Sequence, residues 1–350
     1  MTYGGFLLGF QDPNPLNLPA YTMRFLFDDL NYNPRSYNWG SFGTWTQVSS
    51  DPNIWDYTKT SLPTNWDNLF YYTDPLLPSD ITSFEDVPGE ILGANTSGVT
   101  SMVSTFKNAN KFRSVALFDT SSITDMEYMF EGCSTLTTVP QFDTRNVSDM
   151  HRMFNGCSSL SSVPLFNTTN TTIMTGMFRG CTSITTVPLF NTANVTSMSA
   201  MFEGCTSLTA VPLFDTGSVT DMSGMFNGCT VITTVPLFDT SNVTDMESMF
   251  RICDALVSVP LFNTANVANM TDMLYECRAL VSIPLFSTSS VTKMPRMCYD
   301  CVSVESGALA LYQQVSIQSP APTHSETFHN CGLFTTTGQA ELAQIASDWK

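Results

Sequence analysis

The sequence predicts an α/β solenoid of 24-residue coils, each a short parallel strand plus a short helix, with a β-rich aromatic module before the array and a cap after it. Three observations predict it. Cysteine returns every 24 residues at Cys133, Cys157, Cys181, Cys205, Cys229, Cys253, Cys277 and Cys301, with no insertion between them. Phenylalanine keeps the same step from Phe118 and Phe142 through to Phe286. Methionine holds two places per coil, as Met126 and Met129, then Met150 and Met153, through to Met294 and Met297. A fixed period in this range marks units that cannot bury their apolar faces alone and do so by stacking. Val99, Met102, Phe106, Ala109, Phe112 and Val115 each sit one period before a consensus position, which gives about nine coils over residues 94–310.

The helix of each coil is read from its apolar stripe. In the coil of Cys157, Val147, Met150, Met153, Phe154 and Cys157 recur at helical spacing. Asn146 precedes them as N-cap, Asp149 suits the positive helix end, and Gly156 is placed to close the helix in a left-handed C-cap. Such a helix has about two turns and survives only against its neighbours. The strand is read from residues 160–166, stacking in parallel on the same segment of adjacent coils. The proline column, Pro140 through Pro284, removes a backbone donor from every strand and confines pairing to the few residues before it.

Strand, turn and short helix in 24 residues describe a leucine-rich-repeat coil. The consensus Met-Phe-x-Gly-Cys-x-Ser-Leu-Thr-x-Val-Pro-Leu-Phe-Asp-Thr-x-Asn-Val-Thr-x-Met resembles the bacterial surface-protein repeats of the BspA-like leucine-rich-repeat family. The match spans nine coils, about 60% of the chain. The resemblance implies a recognition scaffold of the kind found in adhesins and in phage virion proteins. Gly-Thr-Trp-Thr-Gln-Val-Ser-Ser-x-Pro-Asn at residues 43–53 resembles the leader found before such repeats in phages of Bacteroides-type hosts. The array departs from the family pattern in lacking indels and in its rich proline column.

The remaining segments divide around the array. Residues 1–20 are an apolar, proline-punctuated arm. Residues 21–93 form an aromatic, β-rich module for capping or attachment, in which Trp39, Trp45, Trp55 and Trp66 are the candidate attachment residues. Residues 22–27 and 43–48 read as strands. Residues 311–350 form the C-terminal cap. There Phe328 to Cys331 repeats the phenylalanine-to-cysteine step 30 residues after Cys301 rather than 24, so a six-residue insertion falls around Pro320 to Pro322. Residues 340–349 read as a helix over the open end, which a solenoid must cover.

Composition excludes several function classes. The chain has 31 acidic and 14 basic residues, a formal charge of −17, which repels phosphate backbones and argues against nucleic-acid binding. No run of 18 or more apolar residues is present, so membrane insertion is not expected. The apolar residues 4–10 lack a preceding basic residue and make a poor signal peptide, and no lipobox cysteine or sorting signal is visible. Three histidines, no phosphate loop and no metalloprotease motif leave no catalytic constellation, so no enzyme and no cofactor is expected.

The candidate contact residues are the strand-face hydroxyls Thr137, Thr138, Ser161, Ser162, Thr185, Thr186, Thr209, Thr233 and Thr234, bordered by a leucine column. A solvated strand face is the plainer reading of the same rows. The Asp/Asn column holds weak calcium candidates in Asp143, Asp215 and Asp239, although such residues more often bond turn backbones. Cys298, Cys301, His324, His329 and Cys331 have zinc-like ligand types, but one cysteine per coil behaves as a small core hydrophobe. The expected function is that of a non-catalytic phage virion protein, a tail or head appendage. Its partners would be virion proteins through the N-terminal module, a host surface protein or glycan, and further copies of itself. The alternative is a bacterial cell-surface adhesin of the same family.

Overall fold

From Met126 to Cys301 each turn segment carries four apolar residues that must leave water together: Met126, Met129, Phe130 and Cys133 in one coil, and their counterparts in the next. All are fully buried. The computed structural model describes the backbone of residues 22–27, 43–47, 54–59 and 89–94, and residues 96, 98–110 and 112–350 with their side chains. Across the array the chain is a solenoid. Parallel bridges run Ser101 to Asp125, Asp149, Ile173, Ser197, Asp221, Asp245, Asn269 and Lys293, each step 24 residues, and then to Thr323 after a step of 30.

The helix expected in each coil does not form. Met126, Tyr128, Phe130 and Gly132 donate their amides to the carbonyls of Asp149, His151, Met153 and Asn155 in the following coil, at 3.1, 2.9, 2.9 and 2.7 Å. The intervening amides of Met129, Glu131 and Cys133 turn back to the carbonyls three residues earlier. This alternation requires left-handed backbone at every fourth residue. Tyr128 has φ 55° and Gly132 φ 76°, and the pattern repeats at Arg152 and Gly156. A run of linked turns thus replaces the helix. Helical spacing and four-residue turns direct the same side chains inward, so the apolar pattern could not tell them apart.

The residues expected to cap a helix do other work. Asn146, Asn170, Asn194, Asn242 and Asn266 donate from Nδ2 to a carbonyl in the preceding coil, at 2.7–2.9 Å. Asp125, Asp149, Asp221 and Asp245 accept the amide two residues on, closing local turns. Thr120, Thr144, Thr168, Thr192, Thr216, Thr240 and Thr264 are buried and donate to a carbonyl of the following coil.

The expected strand is extended but makes little ladder. Ser161 donates its amide to Thr137 and Thr209 to Thr185. Among the described residues the only bridge in this segment is Ser282 to Ser306. The prolines and the exposure of alternate residues leave the segment held mostly by its buried side chains.

Two phenylalanine columns fill the core. Phe130, Phe154, Phe178, Phe202, Phe226 and Phe250 stack at 5.6–5.9 Å with interplanar angles of 0–14°. Each ring also stacks within its coil on the second column, as Phe154 does on Phe166 at 6.2 Å. Aromatic pairs of this kind contribute about 0.5–1.5 kcal/mol each beyond burial.

Before the array lies a five-stranded sheet: β1 (Thr22–Phe27), β2 (Gly43–Gln47), β3 (Ile54–Lys59), β4 (Gly89–Ala94) and β5 (Phe112–Val115), in the order β2-β3-β1-β4-β5. Its contacts are antiparallel except β4–β5, which is parallel. Because β5 belongs to the first coil, the sheet merges with the solenoid.

At the other end the six extra residues fall between Ser306 and Thr323, a wider stretch than the Pro320 to Pro322 expected, and its first part folds as α1 (Ala308–Val315), where the sequence had not suggested a helix. Gln314 and Gln318 from α1 and the residues after it donate to Thr288, ending the threonine column. The helix expected over residues 340–349 is displaced: α2 spans Thr336–Leu342, and a single 3-10 turn spans Ser347–Trp349. The Thr335 hydroxyl caps α2 by accepting the Gly338 amide at 3.0 Å and donates to the Val304 carbonyl at 2.8 Å. The Trp349 carbonyl accepts the Phe328 amide at 2.8 Å, taking the place that a further coil would fill.

Two stability changes are expected. Ile252 stands at φ 58°, where the two preceding coils carry Gly204 and Gly228 and the following one Glu276. A β-branched residue is strained there by about 1 kcal/mol or more, so Ile252→Gly should raise the urea midpoint of the array. A Cβ on Gly338 would lie 2.2 Å from the Val304 carbonyl. Gly338→Ala should therefore loosen the cap, seen as faster proteolytic cleavage within residues 332–350.

Candidate contact surface

The extended segments line up as one face of the solenoid. Thr137, Thr138, Ser161, Ser162, Thr185, Thr186, Thr209, Thr233 and Thr234 all lie on it and are exposed. The first row is less available than its composition suggests. Thr137 donates its hydroxyl to the Arg113 carbonyl, Ser161 to Thr137 and Thr209 to Thr185, at 3.1–3.4 Å. Each bond points back to the preceding coil, so these hydroxyls staple the stack and turn methyl groups or acceptor lone pairs outward. In the second row Thr138, Ser162, Thr186 and Thr234 have no protein partner among the described residues.

Beside them runs a row of exposed leucines. Leu165, Leu189, Leu213, Leu237, Leu261 and Leu285 are 53–63% exposed, one per coil. Val257 and Val281, at 44% and 40%, replace first-row hydroxyls towards the C-terminal end. Residues 158–166, 182–190, 206–214 and 230–238 carry no ionisable side chain, in a chain of charge −17. The equivalent segments 254–262 and 278–286 begin with Asp254 and Arg278, which pair at 2.7 Å, so the uncharged stretch belongs to the middle coils, where the leucines form a contiguous exposed apolar row.

Several ion pairs sit on the turn side. Arg296 makes a two-pronged pair with Asp272 at 2.8 and 2.9 Å, and Arg179 pairs with Glu203 at 3.0 Å in the next coil. Tyr275, Tyr299 and His329 stack as a ladder at 4.9 and 4.6 Å, with the Arg251 guanidinium over Tyr275. This aromatic ladder was not read from the sequence, although its members fall in one column once the 30-residue step is allowed for.

The other candidate residues fall apart from this surface. Trp45 and Trp55 lie in β2 and β3, where Gln47 is in register with Trp55 and Trp45 with Tyr57. Trp39 and Trp66 lie outside the described residues. Asp143, Asp215 and Asp239 accept the amides of Arg145, Gly217 and Ser241 through Oδ1. Asp143 also pairs with Arg145 at 2.8 Å, and this pairing outweighs burial to hold its carboxyl below the usual range. Among the described residues no group of three or more His, Cys, Asp or Glu side chains is placed to hold a metal ion. All ten cysteines are buried free thiols. The array thiols bond to the carbonyls of preceding coils, as Cys157 does to Phe130 at 3.0 Å, and burial pushes Cys205 and Cys301 up to about 12.

Overlapping matches to a sequence model of one family cover residues 77–187, 137–211, 161–234 and 196–311. The chain belongs to the family described as Mycoplasma protein of unknown function, DUF285. Family membership therefore covers the whole contact surface while assigning it no activity. Among solved structures, the chain is similar to a leucine-rich repeat protein from Eubacterium ventriosum, at 13% identity over 69% of this chain and 85% of that one, with a TM-score of 0.36. A TLR13–ssRNA13 complex matches at 14% identity over 55% of this chain and 32% of that one, with a TM-score of 0.24. No curated protein matches.

Two measurements follow from this geometry. Native protein should leave all ten thiols unreacted with a disulfide reagent and release them on denaturation. Burial, with the Asp221 and Glu247 charges, raises the Asp245 carboxyl above its ordinary value despite the hydrogen bonds it accepts. A raised carboxylate penalises the folded state once pH exceeds that pKa, and the penalty fades as pH falls towards the unfolded value. Asn269 already makes the equivalent bond one coil on, to Thr271. Asp245→Asn should therefore stabilise the protein at pH 7, with the gain shrinking in an acid denaturation series.

Proposed function

We propose that this protein is a non-catalytic phage virion component, a tail or head appendage. Its N-terminal module, residues 1–93, attaches it to the particle, and its solenoid presents a contact surface of the BspA-like leucine-rich-repeat kind. The observation that carries the binding part of this reading is the row of exposed leucines, one per coil from Leu165 to Leu285. The leader resemblance at residues 43–53 supports the virion part.

A non-catalytic role is supported by how the potential nucleophiles and bases are used. The array thiols are buried, and the three histidines pack on aromatic rings: His151 on Tyr128, His324 on Trp349 at 3.8 Å, and His329 on Tyr299. None of these histidines is hydrogen-bonded to a serine or cysteine side chain.

Immunogold labelling of the native source, imaged in negative stain with antibody against the solenoid, tests the assignment. Gold on phage particles is the expected result, and its place on head or tail separates decoration from host recognition. Gold confined to the bacterial envelope would replace the virion reading with the cell-surface adhesin.

A further inference from the structure

We propose that the turn side of the late coils carries a second contact site, centred on Arg251, which takes a carboxylate side chain from a partner protein. The site is separate from the leucine row and does not depend on where the protein resides.

The turn segment has two kinds of position. Its inward residues change little from coil to coil, because the stack buries them. Its outward residues are free of that demand. One outward column is polar or charged from Lys107 to Arg251 and then turns aromatic at Tyr275, Tyr299 and His329. These three rings are only partly buried, so core packing does not call for them.

The rings hold Arg251 in place. Its guanidinium carbon lies 4.9 Å from the Tyr275 ring centre, and Tyr299 and His329 continue the stack beyond. Stacking uses the face of a guanidinium and leaves its in-plane N–H donors at the edge. Among the described residues those donors have no hydrogen-bond or ion-pair partner.

The neighbouring charges are already engaged. Arg296, whose guanidinium carbon is 5.6 Å from the same ring, donates from Nε and Nη2 to the two oxygens of Asp272 at 2.9 and 2.8 Å. Arg278 bridges Asp254 and Glu276 at 2.7 and 2.6 Å. Glu247 accepts Asn269 Nδ2 at 2.8 Å. Each of these carboxylates has a donor, and Arg251 is the arginine left over among them. A chain with 31 acidic and 14 basic residues has carboxylates to spare, yet none is bonded to Arg251.

The chemistry of the site selects its ligand. A planar, fixed guanidinium with a free edge fits a carboxylate, which it holds through two parallel N–H bonds. Tyrosine and arginine are the residue types that dominate binding at protein contacts, and the tyrosine rings add an apolar edge beside the charge. The partner group is therefore an aspartate or glutamate set next to an apolar side chain. A polyanion fits poorly, because the charge of −17 repels it, while one carboxylate is largely screened from the distant charges at physiological salt. Two whole copies of the chain meet the same repulsion.

A displayed library of random dodecapeptides, selected on the full chain, tests the proposal. Enriched peptides should carry aspartate or glutamate beside an apolar residue. No enrichment, or enrichment without an acidic residue, would overturn the site. The synthesised peptides should bind Arg251→Gln about tenfold more weakly or worse, and Arg251→Lys, which keeps the charge but loses the planar fork, should restore only part of the loss. Equal binding by the parent and Arg251→Gln would likewise refute it. Changing the acidic residue of the peptide to its amide should weaken binding to the parent but hardly to Arg251→Gln; independent, additive losses would show that the two groups do not meet. Arg145→Gln removes the same charge from an exposed arginine paired with Asp143 and should leave the affinity unchanged. An equal loss there would mean that net charge is read rather than this site. Circular dichroism of the Arg251 variants should match the parent. A dimer that depends on Arg251 in sedimentation would make the occupant a second copy and overturn the partner named here.

Discussion

The structure depends on where the amides of one short segment go. In each coil, four alternate amides from Met126 to Gly132, and their counterparts, leave the coil and end on the next one. Each bond contributes a net stabilisation of only about 1 kcal/mol, but leaving such a group buried and unpaired costs more. No coil can satisfy this segment alone. The left-handed residues, the absence of an intracoil helix and the burial of the methionines all follow from that requirement. Residues such as Tyr128, Arg152 and Ile252 accept an unfavourable φ because the ladder on either side fixes it.

Around that ladder the polar side chains supply what the backbone lacks. Prolines and solvent exposure leave the extended segment short of amide bonds, and threonine, serine and asparagine replace them by reaching to the carbonyls of adjacent coils. The richness in hydroxyl and amide residues is thus first a bonding requirement of the stack. What remains for a partner is the side of each residue that the stack does not use: threonine methyls, the second hydroxyl row and the leucines.

The sequence made the array, its period, its core and the late insertion legible, because inward-facing residues recur with little change from Phe118 to Phe286. It did not reveal how the backbone bonds. Val147, Met150, Met153 and Phe154 fit a helix and a run of linked turns equally well, since hydrophobic spacing reports direction rather than amide partners. Asn146 and Asp149 looked like capping residues for the same reason, their chemistry suiting either a helix end or a turn. On the candidate surface the identity and exposure of Thr137 and Ser161 were legible, but their bonds back to the preceding coil were not. The leucines gained importance only when the structure showed them more than half exposed on a face without charge.

The amide ladder also gives the solenoid a direction. Each coil passes its alternate amides to the next, so the last coil is left with donors that need acceptors from elsewhere. Left open, those donors would be docking points for any extended backbone. The carbonyl of Trp349, seated on the Phe328 amide with its ring stacked against His324, occupies one such docking point at the donor end. The short 3-10 turn at the cap thus closes the ladder where a further coil would otherwise continue it.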